Sequence, residues 1–235
     1  ETQFYPDQEQ KANGYGDDVL WVGKTFGLGA LRGWADNLPQ MLLDVDKRTM
    51  EIVACGPLRT IVKVVDKGWN PFYPEKCDNA KRIDMTTLYT LSAGRRDCAV
   101  DVMFKGDIES LKLATGLINV KNSEEYSDGK GLRGCWGTDW PVSEKDSAGH
   151  KRETVGLGIC IPADNIIKEL PANSDNYPYV VKPALGEIHY HITFASDNET
   201  FPGSFHTPAS FFEYLRQWKR QIESPVTITT KDVFL

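Results

Sequence analysis

From Lys81 to Leu91 the side chains alternate with a period of two. Ile83, Met85, Thr87, Tyr89 and Leu91 fall on one side, and Arg82, Asp84, Thr86, Leu88 and Thr90 on the other. A helix cannot keep such a pattern on one face, whereas a half-buried strand does so automatically. The same reading applies along most of the chain. Val19–Phe26 and Leu28–Trp34 meet at Gly27, and Met50–Cys55 and Leu58–Asp66 flank the turn pair Gly56-Pro57. Asp97–Phe104 follows a turn at Ala93-Gly94; Leu111–Val120, Thr154–Ile161 and Gly186–Ala195 are further strands.

One segment reads as helix. Thr207 suits the N-cap and Pro208 the first helical position. Phe211, Leu215, Trp218 and Ile222 then form one apolar stripe, and Pro225 stops the run before a β-prone Val226–Thr230. Residues 1–18 read as an extended entry segment. Trp69–Asn79 and Asn122–Arg152 read as long irregular loops, the second rich in Gly and Trp and therefore a candidate binding loop. The chain shows no repeat, low-complexity tract or linker. Many long strands and one late helix predict a single all-β domain over 1–235, a large antiparallel two-sheet sandwich.

A 235-residue chain can bury a substantial core in one such domain. Its net charge of −6 argues against nucleic acid, because the basic clusters Arg95-Arg96 and His150-Lys151-Arg152 are isolated. No stretch reaches the roughly 20 apolar residues of a membrane helix. The chain opens at Glu1 with no leader, as a mature or trimmed product would. Of the five cysteines, Cys55, Cys98 and Cys160 lie in apolar runs and read as buried thiols. Cys77 is the loop residue best placed for a disulfide, and Cys135 completes the set. None sits at zinc spacing.

The sharpest local feature is Glu187-Ile-His189-Tyr-His191. On a strand, Glu187, His189 and His191 share one face at about 7 Å intervals, and Ile188, Tyr190 and Ile192 share the core face. Such a row suits proton transfer; two imidazoles and a carboxylate could also ligate a metal, and a plain solvated face is the bland alternative. Proton transfer is the working assignment, with no metal and no cofactor identified. Asp128, Trp136, Asp139 and Trp140 combine flat apolar rings with carboxylates, which suits sugars; the bland alternative is that the tryptophans plug a sheet end. Among Lys24, Arg32, Arg59, Arg82 and Arg95, one or two could hold a uronate carboxylate, and Arg59 is taken as the candidate. His150 and His206 read as surface histidines. There is no GxSxG elbow, and Gly27-Leu-Gly29 lacks the third glycine of a dinucleotide loop.

Several stretches carry a resemblance: Gly14 to Gly29, Tyr126 to Gly131, Trp136 to Trp140, and Phe211–Trp218 followed by Pro225-Val226-Thr227. Together they resemble the bacterial domain-of-unknown-function family 4861, found with polysaccharide-degrading enzymes, over about Gly14 to Thr230. The resemblance implies a galactose-mutarotase-like β-supersandwich and export to the periplasm or beyond. It also implies a further N-terminal β segment that this chain lacks, and a His acid with a carboxylate base on a concave sheet. Glu187 and His189 match those parts by residue type and strand setting only.

The resulting expectation is a secreted or periplasmic carbohydrate-active protein working on a uronate-containing oligosaccharide by acid–base catalysis, as lyase, hydrolase or epimerase. His189 would be the acid, Glu187 or His191 the base or orienter, and Trp136 and Trp140 the platform. The rival expectation is a non-catalytic glycan-binding or accessory domain. Neither involves nucleic acid or a membrane span.

Overall fold

The computed structural model describes residues 7–13, 16, 18–72, 81–108 and 111–224. After a short helix α1 (Gln8–Ala12) the regular structure is mostly β, with one long helix near the end of the described residues. Eight strands form one antiparallel sheet: β3 (Lys47–Cys55), β4 (Arg59–Trp69), β5 (Ile83–Ser92), β6 (Asp97–Lys105), β8 (Glu124–Ser127), β9 (Leu132–Asp139), β10 (Glu153–Cys160) and β13 (Glu187–Ser196). Their spatial order is β3-β4-β5-β6-β13-β10-β9-β8. Five shorter strands form the second sheet: β1 (Arg32–Ala35), β2 (Leu38–Gln40), β7 (Leu113–Ile118), β11 (Ile166–Glu169) and β12 (Asn176–Val181), ordered β11-β12-β7-β1-β2. This is the expected two-sheet sandwich.

Alternation decides which side of each strand faces inward. Ile188 and Tyr190 from β13, Val155, Leu157 and Ile159 from β10, and Val100 and Val102 from β6 are buried against Leu113, Leu117, Tyr179 and Val181 of the smaller sheet. The Tyr190 hydroxyl is not stranded there, because it donates to the Gly29 carbonyl at 2.7 Å.

The opposite face of the large sheet receives helix α2 (Pro208–Glu223). Thr207 is its N-cap, accepting from the Ser210 amide at 3.2 Å, and Pro208 stands at its start as the sequence predicts. Phe211, Leu215 and Trp218 are buried with Leu132, Trp136, Cys160 and Ala195 in a second apolar cluster. The seat is made of glycine. A methyl at Gly134 would stand 2.2 Å from Leu215, and at Gly158 2.6 Å from it; at Gly156 it would meet Trp136 at 2.6 Å and Phe211 at 2.9 Å. The helix approaches closely because these positions carry no Cβ.

Several expectations need correction. Val19–Phe26 is irregular, and Leu28–Trp34 contributes only an isolated bridge and the start of β1. The entry segment contains α1. Within Asn122–Arg152, residues 124–139 form the β8–β9 hairpin; Gly134 serves the helix seat and Gly137 the sheet packing, while Gly129 and Gly131 make the turn at positive φ. Besides β8 and β9, three strands lie where the sequence predicts none, β2, β11 and β12; β12 carries Pro178 opposite Gly116 of β7, in a position where proline normally argues against a strand. Cys55 is exposed; Cys135 and Cys160 are buried, Cys98 is half-buried, and all four are free thiols. Cys77, most of Trp69–Asn79 and Val226–Thr230 lie outside the described residues.

Candidate functional site

On the helix-bearing face of the large sheet, β13 pairs with β6 so that His189 stands directly across from Asp101, and His191 lies diagonally from Asp97. Strand geometry alone therefore brings two imidazoles and two carboxylates together. The His189 Nδ1 faces Asp101 in a close contact, and the His191 Nδ1 lies 3.2 Å from Asp97 Oδ2. The two remaining ring nitrogens face each other, Nε2 to Nε2, at 3.1 Å. The rings meet edge to face with centroids 4.9 Å apart.

This arrangement fixes protons. A carboxylate only accepts, so each Nδ1 must be the N–H that donates to its Asp. Two neutral imidazoles in that tautomer would point bare lone pairs at each other. One proton shared between the Nε2 atoms removes the conflict, leaving one imidazole as donor and its neighbour as acceptor.

The surroundings hold the pair rigidly. Burial alone would raise the Asp97 pKa, but hydrogen bonds from His191 and then Arg95 hold the carboxyl far below the usual carboxylate range, aided by Trp218. Arg95 grips Asp97 with two parallel bonds, Nε to Oδ1 at 2.6 Å and Nη2 to Oδ2 at 3.0 Å. The buried Trp218 Nε1 meets no partner with full hydrogen-bond geometry, so its effect on Asp97 is that of a nearby dipole. Its ring stands edge-on to His191, centroids 6.5 Å apart. Buried Asn165 fastens the start of the strand: its amide donates to the Glu187 carbonyl at 3.0 Å and its Oδ1 accepts from the His189 amide at 3.3 Å.

Both histidines open into a pocket of about 780 Å³ between the sheet and the last turns of α2. Cys160, Ile161, Ile166 and Ile222 give it aliphatic walls, and Lys130, Lys219 and Glu223 line its rim. Burial pushes the Cys160 thiol up to about 12, so it stays protonated and acts as an apolar wall. Lys219 spans to Asp128 at 2.7 Å and to the Lys130 carbonyl at 2.7 Å, tying the helix to the turn before β9. Among the described residues, no three His, Cys, Asp or Glu side chains converge where a metal ion could sit.

Residues 1–228 match the family described as "Domain of unknown function (DUF4861)". The chain belongs to the DUF4861 family. No curated protein and no solved structure matches it.

The residues singled out from the sequence of this DUF4861 domain are distributed unevenly. Glu187, His189 and His191 do share one face, but Glu187 is exposed at the beginning of β13 and forms no part of the pocket wall. Its intended place beside His189 is taken by Asp101. Trp136 cannot serve as a platform here, because it is buried beneath the helix against Phe211, ring centroids 5.6 Å apart. Asp128 accepts from the Lys219 ammonium and from the amides of Lys130 and Leu132, which makes it the anchor of a turn. Asp139 and Trp140 lie at the far end of β9 in a different pocket. Arg59 is exposed at the β3–β4 turn, on strands remote from β13 in the sheet order. Of the other basic candidates, Arg82 reaches Asp44 at 2.9 Å, and His206 binds Asp197 at 2.9 Å.

Asp97 and Asp101, which complete the site, were not picked out. The signal was present: on β6 they lie four apart and therefore on one face. What the sequence lacked was the register that sets β6 beside β13.

Proposed function

We propose that this domain is an exported carbohydrate-active enzyme that acts on uronate-containing oligosaccharides by proton transfer at the His189–His191 pair, as a lyase, hydrolase or epimerase. The observation that carries this reading is the facing of the two Nε2 atoms at 3.1 Å, each imidazole braced from behind by a carboxylate. One shared proton leaves the pair with a base and an acid side by side, as cleavage chemistry requires. In a β-elimination, the bare Nε2 would take the proton α to the uronate carboxylate as the C4–O bond breaks and the C4=C5 bond forms. The protonated Nε2 would give its proton to the departing oxygen, so the pair ends the cycle with the one proton it began with. Lys130 at the rim supplies positive charge for an acidic sugar on entry, whereas Lys219 is already paired with Asp128 and Glu223. Export and the uronate class rest on the family resemblance.

The test is turnover of uronate-containing oligosaccharides, read by the absorbance of the new conjugated double bond and by product chromatography. His189→Ala, half-exposed and outside the core, should fold normally and lose about 10²- to 10⁴-fold in rate. Undiminished turnover in that variant would overturn the assignment.

A further inference from the structure

A second pocket, of about 370 Å³, lies at the opposite end of β9 and β10 from the histidines and shares no lining residue with theirs. β9 runs from Leu132, beside the histidine pocket, to Asp139, so seven steps of roughly 3.3 Å put the two sites on the order of 23 Å apart along the strand. Trp21 and Trp140 line the pocket, and their backbones are joined by a hydrogen bond from the Trp21 amide to the Trp140 carbonyl at 3.2 Å. Arg152 lies 5.0 Å from the Trp140 ring centroid, fixing the ring's plane by covering one face.

The polar groups that line the pocket with these rings are pre-set. The Asp139 carboxylate accepts from the Trp140 amide at 2.8 Å and the Lys121 amide at 3.3 Å, one bond to each oxygen, leaving further lone pairs for a ligand. Asn119 is oriented by donating to the Asn173 carbonyl at 2.6 Å. Asp175 accepts from Ser174 at 3.1 Å. Lys121 is held by Glu144 at 2.9 Å. Flat apolar rings interleaved with fixed acceptors and donors suit a ring that is apolar on its C–H face and hydroxylated at its edge. The carboxylates of Asp139, Glu144 and Asp175 are balanced by the cationic groups of Lys24, Lys121 and the neighbouring Arg152, which leaves no net charge to draw an ionic sugar.

We infer that the Trp21–Trp140 pocket is a saccharide-binding subsite for a neutral pyranose unit, separate from the histidine pocket. It holds a segment of glycan chain rather than reacting with it. The inference stands whether or not the histidines are catalytic.

The experiment titrates the full chain with neutral tetrasaccharides of glucose, galactose, mannose and xylose, and with trigalacturonate, followed by tryptophan fluorescence and calorimetry. At least one neutral tetrasaccharide should bind, and Trp21→Ala and Trp140→Ala should each weaken it by about tenfold or more, while His189→Ala leaves it unchanged. Trp21 lies on an irregular loop, so its variant keeps the test valid if Trp140→Ala fails to fold. Failure of every neutral tetrasaccharide to bind, binding that survives loss of Trp21, or tighter capture of trigalacturonate through these tryptophans would overturn the inference. Turnover is read separately, so the loss of one claim does not carry the other with it.

Discussion

The outer face of the large sheet holds two adjoining regions built in opposite ways. Over β9 and β10 the residues facing outward include Gly134, Gly156 and Gly158, and α2 settles directly onto the backbone through Phe211, Leu215 and Trp218. One strand further on, β13 and β6 present His189, His191, Asp97 and Asp101, whose polar groups are satisfied by one another. The first region excludes water by removing side chains; the second stays open by supplying paired ones. Trp218 belongs to both, buried in the apolar cluster while standing edge-on to His191. The helix is thus the wall of the pocket as well as the lid of a core, and its seating sets the room available beside the histidines.

Four substitutions probe this contrast. Leu215→Ala should be the most damaging, costing about 2–5 kcal/mol in urea unfolding, because Leu215 is fully buried against two glycines that cannot fill the void. A cost below ~1 kcal/mol would mean the glycine seat does not hold the helix. Gly158→Val should cost about 1–3 kcal/mol by overpacking, since its side chain would enter the space of Leu215 and Thr193. It should also perturb the His191 ring signals by NMR through Trp218.

Asp97→Asn should cost about 2 kcal/mol at neutral pH by removing a charged hydrogen-bond acceptor. It should also change the pH dependence. The folded-state pKa of Asp97 is depressed, so its contribution is complete above the unfolded value near 3.8 and is lost as pH falls from there toward the folded value. Melting temperature should therefore fall below about pH 4 in the parent and less steeply in the variant; parallel curves would show that Asp97 is not the buttress described. Arg59→Ala, at an exposed turn, should move stability by less than about 0.5 kcal/mol and leave turnover unchanged.

Sequence reasoning read the long strands well where alternation was uninterrupted. β5, β6, β10 and β13 all lie within a residue or two of their expected spans. It also placed α2 and its N-cap, because the capping residue, the proline and the apolar stripe agree locally. It failed where a short-range signal is overruled by packing. Pro178, Gly134 and Gly137 look like breakers, yet they sit in strands because the pairing of β12 and β9 with their neighbours completes the ladder. The site was half legible. Parity predicts that His189 and His191 share a face, but partners from another strand depend on register, and the burial of Trp136 depends on where the helix docks.

One feature of the large sheet bears on how the protein behaves in concentrated solution. With eight strands set against five, β3 ends the larger sheet, and among the described residues no further strand pairs with its outer edge. Met50 and Ile52 on it remain 75% and 68% exposed. A nine-residue rim of open amides and carbonyls beside uncovered apolar side chains is where a foreign strand could add at least cost. Lys47, Arg48 and Glu51, spaced along the same rim, oppose that addition by requiring any newcomer to strip water from fixed charge.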